Sequence, residues 1–211
     1  MNLRIIEKLR RLGACSEAVA WLSGQVSPSV AWRNCKRGDW MLWLLGQNAP
    51  HSDSPERKRL VLAACECARL SLKYVPAGES RPLQAIETAE AWAYGKATLA
   101  EVKTASAAAY ASAAAYAAYA AYAYAALAAA HAAAYAASDA AAYAAAYAAA
   151  YAASDAAAAA AYAAAYAAAS DDAAAAAAAY AAAAAAAAAR SLTLAQCAKI
   201  VRKHYPRRPT L

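Results

Sequence analysis

Residues 104–189 comprise 62 Ala, 12 Tyr, 5 Ser, 4 Asp and one each of Thr, Leu and His. Alanine has the highest helix propensity, and a run of this length without Gly or Pro holds no strong breaker. The segment is expected to be helical throughout. It cannot supply an ordinary core, because a methyl group buries little area at about 25 cal/mol per Å². The 64% hydrophobic content of the chain is therefore mostly methyl groups. Larger core side chains must come from residues 1–103 and 190–211, and the chain divides on composition at those boundaries: a helical head (1–103), an Ala/Tyr segment (104–189) and a basic tail (190–211).

One unbroken helix over the Ala/Tyr segment would be about 129 Å long at 1.5 Å per residue. Folding back into a hairpin or bundle is the alternative. The dipeptide Ser-Asp recurs every 16 residues, at Ser138-Asp139, Ser154-Asp155 and Ser170-Asp171. Each pair is either an N-cap opening a new helix or a polar spot on a continuous one. Successive pairs would not share a face, since 16 residues turn a straight helix by roughly 160° beyond whole turns. No Gly C-cap marks a break, however. Tyr143, Tyr147 and Tyr151 are four apart, as are Tyr162 and Tyr166. With Tyr180 they fall within an arc of about 140° on a straight helix. Bare Ala faces let helices approach closely, and Tyr adds a large ring with a polar tip. The stripe reads as an association surface for another segment of this chain, another copy or a different protein.

Two special uses of such a segment are not expected. Residues 173–189 are Ala and Tyr alone, a length at the lower limit for a membrane span, but Ala is close to indifferent on insertion scales. An ice-binding face would carry regularly spaced Thr, and the segment holds only Thr104.

The head lacks sustained period-two alternation and reads as short helices. Residues 2–12 are amphipathic and end at Gly13. Ser16 is expected to cap a second helix that ends at Gly24. Ser27-Pro28 opens a third running to Gly38, with Pro where its missing N–H does no harm. Asp39 is expected to cap WMLWLLG, and residues 47–55 form a polar loop. Residues 56–75 make the longest ordinary helix, with a core stripe of Leu60, Ala63, Ala64, Cys67 and Leu70. Residues 81–94 and 98–103 complete the head, with Thr98 as a cap. Trp21, Trp32, Trp40, Trp43 and Trp92 supply packing bulk. The fold class is all-α: a small multi-helix head, a long Ala/Tyr helix or helical hairpin, and a short basic C-terminal helix that docks Ile200 and Val201 on the head.

Catalytic and cofactor chemistry is not expected. His51, His131 and His204 have no second ligand at metal spacing. Cys65-Glu66-Cys67 sets two thiols about 200° apart on a helix, which suits buried structural cysteines better than a redox or zinc motif. No phosphate loop, nucleophile elbow or carboxylate pair is recognisable. Five cysteines without regular spacing argue for a reducing compartment, and MNLRIIEKLRRLGA is too charged for a signal peptide. The chain is therefore expected to be cytoplasmic, and extracellular only as a filament subunit.

Charge is segregated: net +5 over 1–103, −4 over 104–189 and +6 over 190–211. A basic tail behind a nearly uncharged segment suits an acidic partner or a solubilising end. Its Lys199, Arg202, Lys203, Arg207 and Arg208 could meet a nucleic-acid backbone on charge alone, although no reading module accompanies them.

The blocks LRRLGACSEAVAWL, AWRNCKRGDWMLWLLG, RLVLAACECARLSLKYVP, GESRPLQAIETAEAWAYGKAT and CAKIVRKHYP surround the alanine-rich middle in that order. In this arrangement the chain resembles a family of bacterial and phage-encoded immunity proteins, over about residues 3–103 and 190–206. RGDW-x-LWLLG and AIETAEAWA are its most specific parts. The resemblance implies an all-helical protein that neutralises a toxin by binding it, with no catalytic residues to carry over. Family members have middles sprinkled with Arg, Asp and Glu; here the middle has no Arg or Glu and many Tyr. Two functions are therefore expected in competition. One is a non-enzymatic binding protein that occludes another protein, through the turn of Arg37, Asp39 and Trp40 and the tail residues Arg202, Lys203, Arg207 and Arg208. The other is a structural protein whose copies assemble into a filament or bundle through Tyr143, Tyr147, Tyr151, Tyr162, Tyr166 and Tyr180.

Overall fold

Several helix starts in this chain are set by side chains that satisfy the first free backbone N–H groups. The computed structural model describes residues 3–49, 54–115, 129, 132, 149–158 and 172–209, with side chains for all of these except 113–115 and 172–182. The head contains α1 (Leu3–Arg11), α2 (Ser16–Ser23), α3 (Pro28–Asn34), α4 (Gly38–Gly46), α5 (Pro55–Arg69), a 3₁₀ turn (Leu72–Tyr74) and α6 (Arg81–Ala93). Then come α7 (Leu99–Ala115), a helical stretch over 149–158, and α8 (Asp172–His204). The fold is all-α among the described residues.

Ser27 Oγ accepts the Val30 N–H at 3.2 Å with Pro28 in the first turn of α3. The same Ser-Pro device opens α5, where Ser54 Oγ accepts the Arg57 N–H at 3.2 Å. Thr98 and Glu101 form a reciprocal capping box for α7: the Thr98 N–H donates to Glu101 Oε2 at 2.7 Å and the Glu101 N–H to Thr98 Oγ1 at 3.3 Å.

Helix α5 is central. Leu60, Val61, Ala63, Ala64, Cys65, Cys67 and Ala68 are all fully buried, so it is covered well beyond the single stripe read from the sequence, while Leu70 is half-buried. On one side lies α6, with α7 packed behind it; on the other lie α4 and α8. The two cysteines of the C-x-C point to these two flanks, as their helical spacing requires. Cys65 Sγ faces the Ile86 carbonyl of α6 at 3.9 Å, and Cys67 Sγ faces the Cys197 carbonyl of α8 at 4.0 Å. Arg69 ties α5 to α6 by bonding both Glu90 oxygens, at 3.0 and 2.7 Å.

Several expected boundaries shift. Cys15, not Ser16, precedes α2, and no side chain caps that helix. Helix α3 stops at Asn34, and Gly38 opens α4 instead of ending α3. Asp39 lies in the first turn of α4, where Arg37 engages its carboxylate, so it does not cap the helix. The helix expected over 56–75 ends at Arg69 and passes into the 3₁₀ turn. No break falls at residue 190: the basic tail is the last turns of α8. Nor does one fall at residue 104, since α7 runs through it.

The Ala/Tyr segment is not one straight helix. Arg190 of α8 sits over the Tyr151 ring, 4.3 Å from its centroid. On one straight helix those residues would stand about 58 Å apart at 1.5 Å per residue. Ala109, Ala129, Ala132 and Ala149 are all fully buried in the same cluster as Leu60 and Ile86. The alanine faces therefore extend the head's core. Ser154-Asp155 lies inside the 149–158 helix and opens none; the Ser138-Asp139 and Ser170-Asp171 pairs fall outside the described residues.

The closest approach in the core is at Gly38. A Cβ there would stand 2.3 Å from Cys197 Cβ and 2.6 Å from the Ala198 nitrogen. Backbone and helix-core atoms cannot yield as a surface side chain can. Gly38→Ala should therefore destabilise by about 1–3 kcal/mol or more through overpacking, read as a lowered thermal midpoint. Gly24→Ala is the control: its Cβ meets only the Trp21 carbonyl at 3.6 Å and should stay within about 0.5 kcal/mol of the parent.

Candidate functional site

Gly13 takes φ +86° in the turn between α1 and α2, a left-handed conformation open to Gly without a Cβ penalty. That turn folds α1 back against α2. The apolar sides of the pair, with Ile5, Leu9, Val19 and Trp21, face Trp40 and Trp43 of α4 across an open cleft of about 90 Å³. Arg208 and Pro209 of the tail also line it, and among the described residues Arg208 is the only charged one in its lining. Trp21 and Trp40 meet at 6.0 Å between centroids with their planes tilted by 55°. These two and Trp43 are half-buried, whereas Trp32 and Trp92 belong to the closed core.

The Arg37-Gly38-Asp39-Trp40 turn is a knot of internal contacts. Arg37 Nε donates to Asp39 Oδ1 at 2.9 Å and Nη2 to Oδ2 at 2.7 Å. Nη1 reaches Glu17 of α2 at 3.0 Å, and the guanidinium lies 4.3 Å over the Trp40 ring. Hydrogen bonding to Asp39 outweighs burial and raises the Arg37 pKa above its ordinary range. Asp39 is buried. Arg37 and Asp39 thus hold α2 to α4 and orient Trp40, which is the member of the trio that lines the cleft.

Most of the tail is anchored. Arg202 Nη1 donates to the Cys35 carbonyl at 2.7 Å, capping the free end of α3. The Trp32 indole N–H donates to the Tyr205 carbonyl at 3.1 Å, and the Tyr205 hydroxyl donates to the Glu56 carbonyl at 3.1 Å. Lys203 Nζ bonds Glu66 at 2.9 and 3.1 Å, and His204 Nε2 lies 2.9 Å from Glu66 Oε2. Burial alone would raise the Glu66 pKa, but hydrogen bonds from Lys203 and His204, with their charges, hold it below the ordinary carboxylate range. Arg207 and Arg208 remain exposed.

Among the tyrosines, Tyr151 is half-buried under Arg190. Tyr180 lies in α8 with its side chain outside the described set, and Tyr143, Tyr147, Tyr162 and Tyr166 fall outside the described residues. The structure therefore brings Trp40 and Arg208 together at one cleft, and gives Arg37, Asp39, Arg202 and Lys203 bracing roles. The residues missed in the sequence are those joined across the fold, above all Glu66, His204 and Tyr205. No local pattern could link them, since Glu66 and His204 lie 138 positions apart.

Among the described residues, no group of three or more His, Cys, Asp and Glu side chains is placed to hold a metal ion, and no helix is long and apolar enough to cross a membrane. No protein-family model, curated protein or solved structure matches the chain.

Two expectations follow. Asp39→Ala leaves the partly covered Arg37 without its two-pronged partner and should lower stability by about 1.5–3 kcal/mol, the range for hydrogen bonds to charged groups, measured by urea denaturation. Because the folded-state pKa of Glu66 is depressed, its contribution is full above the ordinary glutamate pKa and is lost as pH falls through the depressed value. Thermal melts across that acidic window should show a loss of midpoint in the parent that is smaller in Glu66→Gln.

Proposed function

We propose that this chain is a non-enzymatic helical binding protein of the immunity type, acting by association with another protein. The observation that carries this reading is the open apolar cleft walled by Trp21, Trp40 and Trp43. Half-covered tryptophans around a concavity are the residue type and setting in which interface energy concentrates. The same elements present further apolar surface: Leu3 of α1 is 78% exposed and Val26, just before α3, is 86% exposed. The resemblance to immunity proteins supplies the partner class, a toxin. Free cysteines, four of them buried, fit a reducing cytoplasm.

Self-assembly through Ala/Tyr helices is the less favoured reading. The described alanines Ala149, Ala150, Ala152 and Ala153 are already buried within the chain, which leaves less bare Ala surface for other copies.

Light scattering on a sizing column, with negative-stain images of the same fractions, should give a compact monomer or dimer. Affinity capture from the native host should recover a partner that Trp43→Ala and Val26→Asp bind about thirtyfold more weakly, the effect of a hot spot of about 2 kcal/mol. Long regular particles, or recovery of the chain alone, would overturn the proposal.

A further inference from the structure

A second recess adjoins the cleft. Ala14 and Val19 line both, and the second, of about 330 Å³, extends past them to Arg10, Ser16 and Ser23. Of the groove's two recesses, the apolar first is lined by Arg208 and the second by Arg10. The elements that wall it are strongly basic on their outer sides. Lys8, Arg10, Arg11, Arg33 and Lys36 are all exposed, and none meets a carboxylate among the described residues. The acidic groups of this region do not balance these five cations: Glu17 and Asp39 are both engaged by Arg37, which leaves Glu7 as the exposed carboxylate of α1.

Two physical requirements define the occupant. The first cleft holds about 90 Å³, less than the ~150 Å³ cavity that accommodates benzene, so it admits one aliphatic side chain and not a large ring. The cations around it favour a partner with carboxylates beside that anchor, and opposed potentials steer association as well as fixing register. Resting on the binding reading above, we infer that the groove takes an acidic amphipathic segment of the partner protein. One leucine-sized side chain enters between Trp21, Trp40 and Trp43, and flanking carboxylates meet Arg208 and Arg10.

The test uses the full chain and three synthetic peptides lacking Trp, so that tryptophan emission reports the cleft. One carries a single Leu flanked by Glu, the second replaces Glu by Lys, and the third replaces Leu by Ala. The Glu/Leu peptide is expected to shift the emission, to bind at least tenfold more tightly than either relative, and to weaken as salt is raised. Arg10→Glu combined with Arg208→Glu should weaken it tenfold or more; both sites are exposed, and an unchanged thermal midpoint verifies the fold. Equal or tighter binding of the Lys peptide overturns the inference, as does indifference to the double reversal. Anionic phospholipid vesicles or duplex DNA producing the same emission shift at lower concentration would also overturn it. If the Glu/Leu peptide fails to bind while a captured protein is still lost on Trp43→Ala, the acidic partner falls and the binding reading stands. If the peptide fails and no protein is captured, both fall.

Discussion

The approach of α8 to α4 at Gly38 is the contact on which the head depends. Without a Cβ at that position, Cys197 and Ala198 lie directly on the backbone of α4. This seats α8 deeply enough for Cys197, Ala198 and Val201 to close the open flank of α5. The remaining tail contacts rely on that seating. Arg202 reaches the end of α3, Tyr205 is held by Trp32, and Glu66 gathers Lys203 and His204. A hydrogen bond of this kind contributes only about 0.5–1.5 kcal/mol net. Its effect here is positional: it fixes the last turn of α8 so that Arg208 and Pro209 arrive at the cleft.

Local rules made much of the head legible. The amphipathic pattern gave α1, Ser27-Pro28 gave α3, and Thr98 followed by Glu101 gave the start of α7, because the physics involved spans only a few residues. Ser54-Pro55 carried the same signal as Ser27-Pro28 but stood inside a polar run that reads as loop, so its cap was hidden by its neighbours. Gly38 was legible as a helix boundary but not as a contact, since its role is set by a helix more than 150 positions away. The function of Asp39 and Arg37 was hidden for a different reason, since they stand only two positions apart. Seen locally, an aspartate before an apolar run is a cap; in the fold it is the only nearby carboxylate able to meet Arg37 with both oxygens.

The Ala/Tyr segment shows the limit of propensity. Composition favours helix throughout, but alanine is equally suited to helix when straight or folded back. What distinguishes the two is burial, and buried area per alanine is too small to leave a readable stripe. The pairing of Arg190 with Tyr151 is a large side-chain contact that marks the folding back. For the candidate site, Trp40 was legible as a contact in the turn after Arg37, whereas Trp21 and Trp43 read only as packing bulk. The cleft itself was not legible, because it needs α1, α2, α4 and the tail at once.

That composite construction has a consequence for synthesis. Cys35 and Arg202 are 167 positions apart, and ribosomes add about 5–20 residues per second. The head emerges on the order of ten to thirty seconds before the helix that closes it. During that interval the flank of α5 that α8 later covers is exposed on the nascent chain, and the cleft has no tail wall. The cleft is therefore completed only after α8 has been made. Until then the growing chain presents an apolar face that is covered in the fold.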